Sequence, residues 1–108
     1  MPNMGSRLRL NPKASADLDG IFLYTAQRWS SEQADRYFLD IDIDIDIDID
    51  SAMQLLARSP ELGLRVDGIR PGFYRYRVRS HLIFYRRVDD GIEVMRVLHQ
   101  RMDIDSYL

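Results

Sequence analysis

The sequence predicts an α+β fold in the order β-α-α-β-β-β, in which a helical hairpin packs on an antiparallel sheet. Apolar residues recur at helical spacing over residues 14–41 and again over 52–56, whereas they alternate with polar residues after residue 72. Short turn signals separate the later strand patterns, as they do in hairpin-linked strands. Since 108 residues is close to the commonest domain length, we expect residues 1–108 to form one domain.

The first two elements are a short strand and a long helix. Arginine alternates with leucine within residues 6–10, which is a strand pattern. Asn11 and Pro12 then form a helix start, with asparagine as the N-cap and proline at the first helical position. The apolar spacing that follows predicts a helix over residues 12–29.

A second helix follows almost at once. Ser30 and Gln33 form a capping-box pattern, and apolar residues at helical spacing resume at Ala34. Pro60 ends this helix, because proline cannot continue it. Two helices joined by so short a connection are expected to form a hairpin.

Three strands complete the predicted fold. Residues 73–79, 82–88 and 92–98 alternate or are rich in aromatic and β-branched residues. Ser80-His81 forms the first compact connection, and the Asp-Asp-Gly sequence at 89–91 forms the second.

A dipeptide repeat interrupts the second helix. Residues 40–50 read Asp followed by five Ile-Asp units. Strict alternation is typical of an amphipathic strand, and aspartates four residues apart would repel on a helix. Local propensity alone therefore favours a strand, whereas the helical segments on both sides favour a lengthened helix. A calcium loop is disfavoured, because the turn glycine and the glutamate at the twelfth position are absent.

The net charge of −2 combines two opposed regions. Residues 40–50 hold six of the 17 acidic residues, whereas residues 65–101 hold nine arginines against four acidic residues. The downstream half is therefore strongly basic, which suits an acidic partner.

Composition also excludes several kinds of site. The absence of cysteine excludes disulfides and thiolate metal sites, and it fits a reducing compartment. His81 and His99 are the only histidines and lack a ligand spacing, so we expect no metal or cofactor. No apolar run approaches the length of a membrane span. We therefore expect a cytoplasmic protein without membrane contact.

Five sequence runs keep a characteristic order and spacing. They are 28–37 (RWSSEQADRY), 60–63 (PELG), 69–72 (IRPG), 80–86 (SHLIFYR) and 97–103 (VLHQRMD). Together they resemble the ParE toxins of bacterial toxin–antitoxin pairs, within the RelE/ParE superfamily. The resemblance spans about residues 7–105, and the runs at 80–86 and 97–103 are the most specific.

The dipeptide repeat departs from this family pattern. The pattern fits residues 37–42 followed directly by 51–60, so four Ile-Asp units are extra. In helical form these eight residues would lengthen the second helix by about 12 Å. Faithful repetition of a two-residue unit is typical of repeat expansion in a gene.

The resemblance implies a toxin that acts by binding rather than by catalysis. ParE toxins bind DNA gyrase and trap it on cut DNA, and a ParD-type antitoxin neutralises them by wrapping its C-terminal segment over the toxin. The antitoxin carries the DNA-binding part, so the toxin itself needs no sequence-specific contact with nucleic acid.

Arginines are the candidate target-binding residues. Fourteen of the 15 basic residues are arginine, which suits bidentate contacts with carboxylate or phosphate. Arg75, Arg77 and Arg79 are predicted to share one strand face, with tyrosines between them in sequence. The alternative for each arginine is a solvated pair with a nearby acid. The candidates for gyrase contact are Arg70, Arg75, Arg77, His99 and Arg101.

Apolar residues of the hairpin are the candidate antitoxin contacts. A chain of this size cannot bury all of them, although each could also belong to the core. Trp29 is favoured as structural, since an aromatic residue at a hairpin turn holds two helices together. The candidates are Leu18, Phe22, Trp29, Tyr37 and Phe38.

The superfamily also offers an enzymatic alternative. Its RelE branch cuts ribosome-bound mRNA, which requires a proton acceptor for the 2′-OH and cations for the phosphate. The candidate residues for that chemistry are Arg77, Arg96, His99, Arg101 and Tyr107. The lysine-rich cluster of RelE-like nucleases is absent from this sequence, and His81 and His99 could instead be structural. A third alternative is a non-toxic remnant that binds an antitoxin only.

Overall fold

The computed structural model describes residues 7–29 and 36–108, with side chains described for residues 7–23 and 47–108. These residues form strands and helices in the following order. They are β1 (Arg7–Leu10), α1 (Pro12–Trp29), α2 (Arg36–Arg58), β2 (Leu64–Arg65), β3 (Phe73–Val78), β4 (His81–Val88), β5 (Gly91–His99) and α3 (Ile104–Tyr107). A single 3₁₀ turn, Pro60–Leu62, connects α2 to β2.

The five strands form one sheet in the order β1-β5-β4-β3-β2. Strands β3, β4 and β5 are antiparallel neighbours, as the turn signals predicted, and the α+β class is confirmed. The expectation of a purely antiparallel sheet is wrong, because β1 pairs parallel to β5. Parallel pairing needs a long crossover connection, and the helical hairpin provides it.

Helix α1 has the predicted bounds. Asn11 caps it, since the Oδ1 atom of Asn11 accepts the Lys13 N–H at 2.9 Å. Ala14, in the first turn of the helix, is completely buried in the main core cluster. The helix is therefore both started by its predicted cap and fixed by packing.

Helix α2 continues through the dipeptide repeat, so the helical expectation is confirmed over the strand expectation. Tertiary packing explains why, since residues 49, 52, 53, 56 and 57 are buried at helical spacing. Ile47 is 59% exposed while Ile49 is 1% exposed, because residues two apart on a helix lie about 200° apart. The Ser30–Gln33 capping pattern lies outside the described residues.

The sheet buries side chains on both faces. Ile83 and Tyr85 of β4 belong to a core cluster with α1 and α2, whereas Leu82 and Phe84 belong to a smaller cluster on the opposite face. Residues 102–108 cover part of this second face, with Met102, Ile104 and Leu108 packed against it. The short elements β2 and α3 were not predicted from the sequence.

Candidate functional site

Arg75 and Arg77 lie on the sheet face opposite the helices. They pair in register with Phe84 and Leu82 of β4, which belong to the smaller cluster, and both arginines are exposed. The prediction that these two arginines share one face is confirmed by the register.

The two arginines line a groove of about 610 Å³ between β2, β3 and the C-terminal segment. Its other contributors include Leu62, Leu64 and Ile104, and the first two of these are 46% and 64% exposed. A groove with apolar lining and cationic side chains can bind an amphipathic, acidic partner segment.

Neither arginine of the groove forms an ion pair with an acid in the part of the chain that the structure describes. Among the described residues, Arg75 has no ion-pair partner. The Nε of Arg77 donates to the carbonyl of Arg79 at 2.7 Å, so this bond fixes the side chain without cancelling its charge. The local positive charge therefore remains available to a partner.

Arg79 does not belong to this face, which corrects the prediction. Strand β3 ends at Val78, and Arg79 has a φ of 55° in the turn that follows. Its Nε donates to Asp48 of α2 at 2.6 Å, so it lies toward the helices. The two-residue period failed here because the chain turns one residue earlier than the pattern suggested.

His99 also lies on the helix side of the sheet. It pairs across the strands with His81, and their rings meet edge to face with centroids 5.2 Å apart. The Nδ1 of His99 accepts the backbone N–H of Arg101 at 3.1 Å. Burial, and secondarily the nearby His99, lowers the pKa of His81. The sheet therefore separates His99 from Arg75 and Arg77.

The remaining two target-binding candidates lie elsewhere. Arg101 is exposed in the turn after β5. Arg70 lies in the loop before β3, where its Nη2 donates to the backbone carbonyl of Leu108. The structure thus brings only Arg75 and Arg77 together among the five predicted residues.

Arg96 forms a partly buried ion pair that sequence reasoning missed. Its Nε and Nη2 donate to the two carboxylate oxygens of Asp17 at 2.7 Å each, and the two side chains are only 16% and 12% exposed. The hydrogen bonds that Arg96 donates to Asp17 raise the pKa of Arg96 above its ordinary value. The two residues are 79 positions apart, so no local pattern could have revealed the pair.

The same pair fixes the edge of the sheet and the C-terminal segment. Strand β1 ends at Leu10 opposite Val94, and beyond that point Asp17 accepts the Val97 N–H at 3.0 Å. The Nη1 of Arg96 donates to the carbonyl of Tyr107 at 2.8 Å, and its guanidinium lies 5.6 Å from the centre of the Tyr107 ring. Arg96 is therefore committed to structural contacts rather than free to bind a phosphate.

A second candidate surface lies between the helices. Leu18 and Phe22 of α1 line a groove of about 260 Å³ with Ile49 and Met53 of α2. Phe22 is 63% exposed, whereas Leu18 packs partly against the core. Asp19 and Asp50 lie at the rim of this groove, and neither has an ion-pair partner among the described residues.

Three of the predicted antitoxin contacts lie outside the described side chains. Trp29 is the last residue of α1, and Tyr37 and Phe38 lie in the first turn of α2. Their contribution to the groove between the helices stays a prediction.

Within the described part of the chain, no helix is long and apolar enough to cross a membrane. In the same residues, no three histidine, aspartate or glutamate side chains converge as ligands of a metal ion would.

Comparison with known proteins places the chain in a family. Residues 8–104 match the family described as the ParE toxin of the type II toxin–antitoxin system parDE. Toxin ParE1 of Mycobacterium tuberculosis is 41% identical over 106 residues, which cover 97% of this chain and all of that protein. Toxin ParE1 of Caulobacter vibrioides is 37% identical over 100 residues, covering 93% of this chain and 95% of that protein.

A solved structure shares the fold. It is described as the chromosomal ParDE toxin–antitoxin system from P. aeruginosa, and it matches with a TM-score of 0.63 at 18% identity. The match covers 85% of this chain and 92% of that one. From the family match and the two relatives, this chain belongs to the ParE toxins of type II toxin–antitoxin systems.

Proposed function

We propose that this toxin inhibits DNA gyrase by binding it, and that a ParD-type antitoxin neutralises it. The observation that carries the proposal is the groove lined by Arg75 and Arg77, which joins two exposed cations to exposed leucines. Such a surface suits a large, partly acidic protein target better than a small substrate.

The described geometry favours binding over mRNA cleavage. Of the nuclease candidates, Arg96 is held by Asp17, and His99 lies across the sheet from Arg77. Catalysis of phosphodiester cleavage requires its acid, base and cations around one phosphate. The candidate residues are instead divided between two faces.

The test uses purified toxin with gyrase and supercoiled plasmid. We expect linear DNA trapped on the enzyme, and loss of trapping in the double variant Arg75→Ala with Arg77→Ala. A matched control removes two exposed arginines outside the groove, Arg7 and Arg87, and should trap DNA as the wild type does. Equal loss in both double variants would mean that total charge, rather than the groove, determines binding.

A ribosome-bound mRNA cleavage assay runs beside it. Cleaved transcript with intact plasmid would replace this proposal with the nuclease function. If neither assay responds, the chain lacks both activities and the antitoxin-binding remnant becomes the better description.

For the antitoxin, we propose docking on the groove between α1 and α2. Its apolar part includes Phe22, which a partner's side chains could cover, and the neighbouring Leu23 is 58% exposed. Replacing both residues by serine should abolish neutralisation in a growth assay while leaving toxicity in place. The control replaces Leu10 and Ile69 by serine, since both are exposed, at 42% and 41%, and line neither groove; it should remain toxic and neutralised.

A further inference from the structure

Helix α2 is anchored firmly toward its C-terminal end. Ile49 and Leu56 are 1% and 0% exposed in the main core, and Asp48 forms the ion pair with Arg79. These contacts fix the rotation of the helix from residue 48 onward, because turning it would remove both the buried side chains and the ion pair.

The other end of α2 extends beyond α1. Phe22 and Ile49 line the same groove, so they mark one level of the hairpin. The part of α1 from Phe22 to its end at Trp29 is about 10 Å long. The part of α2 from its start at Arg36 to Ile49 is about 20 Å long. The first part of α2 therefore carries about two turns that α1 does not match.

We propose that the number of Ile-Asp units sets the rotation of the first turn of α2 relative to the anchored end. Because the units are identical, losing one leaves the alternation before Ile49 unchanged. The loss of one unit nevertheless rotates residues 36–39 by about 200° about the helix axis and moves them about 3 Å closer to Ile49. The first turn would face a different direction, while the buried residues from Ile49 onward keep their positions.

As a result, the orientation of the first turn does not change steadily with the number of units removed. Removing one, two, three or four units displaces the first turn by about 160°, 40°, 120° or 80° from its present orientation. A gain or loss of one unit, the smallest change a tandem repeat undergoes, is thus the largest change in surface. The inference concerns the fold and does not depend on which target the toxin binds.

The test compares purified variants that lack one, two, three or four units. Two measurements apply, the unfolding midpoint and the fluorescence of Trp29, the only tryptophan, which ends α1. We expect the departure from the wild type to be smallest when two units are removed and to increase through four and three units to one unit, which departs most. The one-unit variant should lose about 5 °C or more, and the two-unit variant less than about 2 °C.

A matched control changes one unit without changing the rotation. Replacing Ile43 and Asp44 by alanine keeps the helix length, so it should behave like the wild type. A control that fails as the one-unit deletion does would assign the effect to side chains and overturn the proposal. Three further results would overturn the proposal. They are an unfolding midpoint that falls steadily with the number of units removed, no change in either measurement in any variant, and a four-unit deletion that differs least from the wild type.

Discussion

The two faces of the sheet are covered by very different amounts of structure. On one face, α1 and α2 pack over a cluster that includes Ile83, Tyr85 and Val94, all of which are fully buried. On the other, the buried cluster is Leu82, Phe84 and Leu98 beneath a short C-terminal segment. Because the larger buried cluster lies on the helix face, that face supplies most of the stability, and the other face can keep exposed leucines and arginines.

The contact that joins the two faces should give the largest effect. Asp17 of α1 holds Arg96, which in turn holds the backbone at Tyr107 on the other face. We expect Asp17→Ala to lower the free energy of unfolding by about 3 kcal/mol, because it leaves a partly buried guanidinium without its counter-ion and the Val97 N–H without its acceptor. Urea denaturation measures this change.

The matched control for that experiment is Asp19→Ala. Asp19 is exposed on the same helix and has no ion-pair partner among the described residues. Its replacement should change the free energy of unfolding by less than about 0.5 kcal/mol. Similar losses in the two variants would show that α1 needs acidic charge in general and that the pair does not join the faces.

A second prediction concerns Tyr85 on the helix face. Its hydroxyl donates to the carbonyl of Pro60 at 2.7 Å and accepts the Gly63 N–H at 2.9 Å, which holds the 3₁₀ turn against the sheet. Tyr85→Phe should cost about 2 kcal/mol, since it leaves two backbone groups unsatisfied in a partly buried site.

Tyr74→Phe is the control for this change. Tyr74 stacks on Tyr85 with ring centroids 5.4 Å apart, and the substitution keeps both rings. It should alter the unfolding free energy by less than about 0.5 kcal/mol. If both variants lose stability equally, the hydrogen bonds of Tyr85 are not what holds the turn.

A smaller effect should come from His81, through pH. Because burial lowers the pKa of His81, the unfolded chain binds its proton more readily than the folded chain. Stability should therefore fall as the pH drops below about 6.5, until the pKa in the folded state is passed. Unfolding free energies at pH 7.5 and 5.5 measure this contribution.

Two variants separate the causes of that pH dependence. His81→Gln removes the group and should reduce the loss of stability on acidification. His99→Gln removes only the secondary cause, so it should keep most of the loss that His81 contributes. A His81→Gln variant as acid-sensitive as the wild type would assign the pH dependence to other groups.

Sequence patterns predicted the helix face better than the other face. Helix α1 has the predicted bounds because Asn11-Pro12 is a local start signal, and β4 was predicted because its apolar residues are contiguous. The pairing of β1 with β5 was not predictable in this way, since it joins residues more than 80 positions apart. Neither was β2, whose two residues are too few to show a period.

The candidate site was only partly predictable, because some of its contacts join residues that are distant in sequence. The two-residue period within one strand correctly placed Arg75 and Arg77 on one face. It could not show that the strand ends before Arg79, or that the register places His99 beside His81 on the opposite side. Residues that become neighbours through register or long-range pairing carry no signal in their own segment.

The smallest expected change in stability comes from replacing single arginines of β3 and β4. Arg86 forms an ion pair with Glu93 at 2.6 Å, whereas Arg75, on the neighbouring strand, has no acidic partner among the described residues and shares its face with Arg77. Arg86→Ala should cost up to about 1 kcal/mol. Arg75→Ala should leave the unfolding free energy unchanged or raise it by a few tenths of a kcal/mol, because it relieves repulsion between like charges.

Urea denaturation of these two variants at low and high salt measures the difference, which should shrink as salt screens both interactions. If Arg75→Ala is instead the more damaging, its side chain supports the fold and the face opposite the helices is not set apart for binding. An arginine that the fold does not need, and that repels its neighbour, is better explained by a partner that both side chains contact. The stability measurement therefore tests the binding surface without requiring the partner to be present.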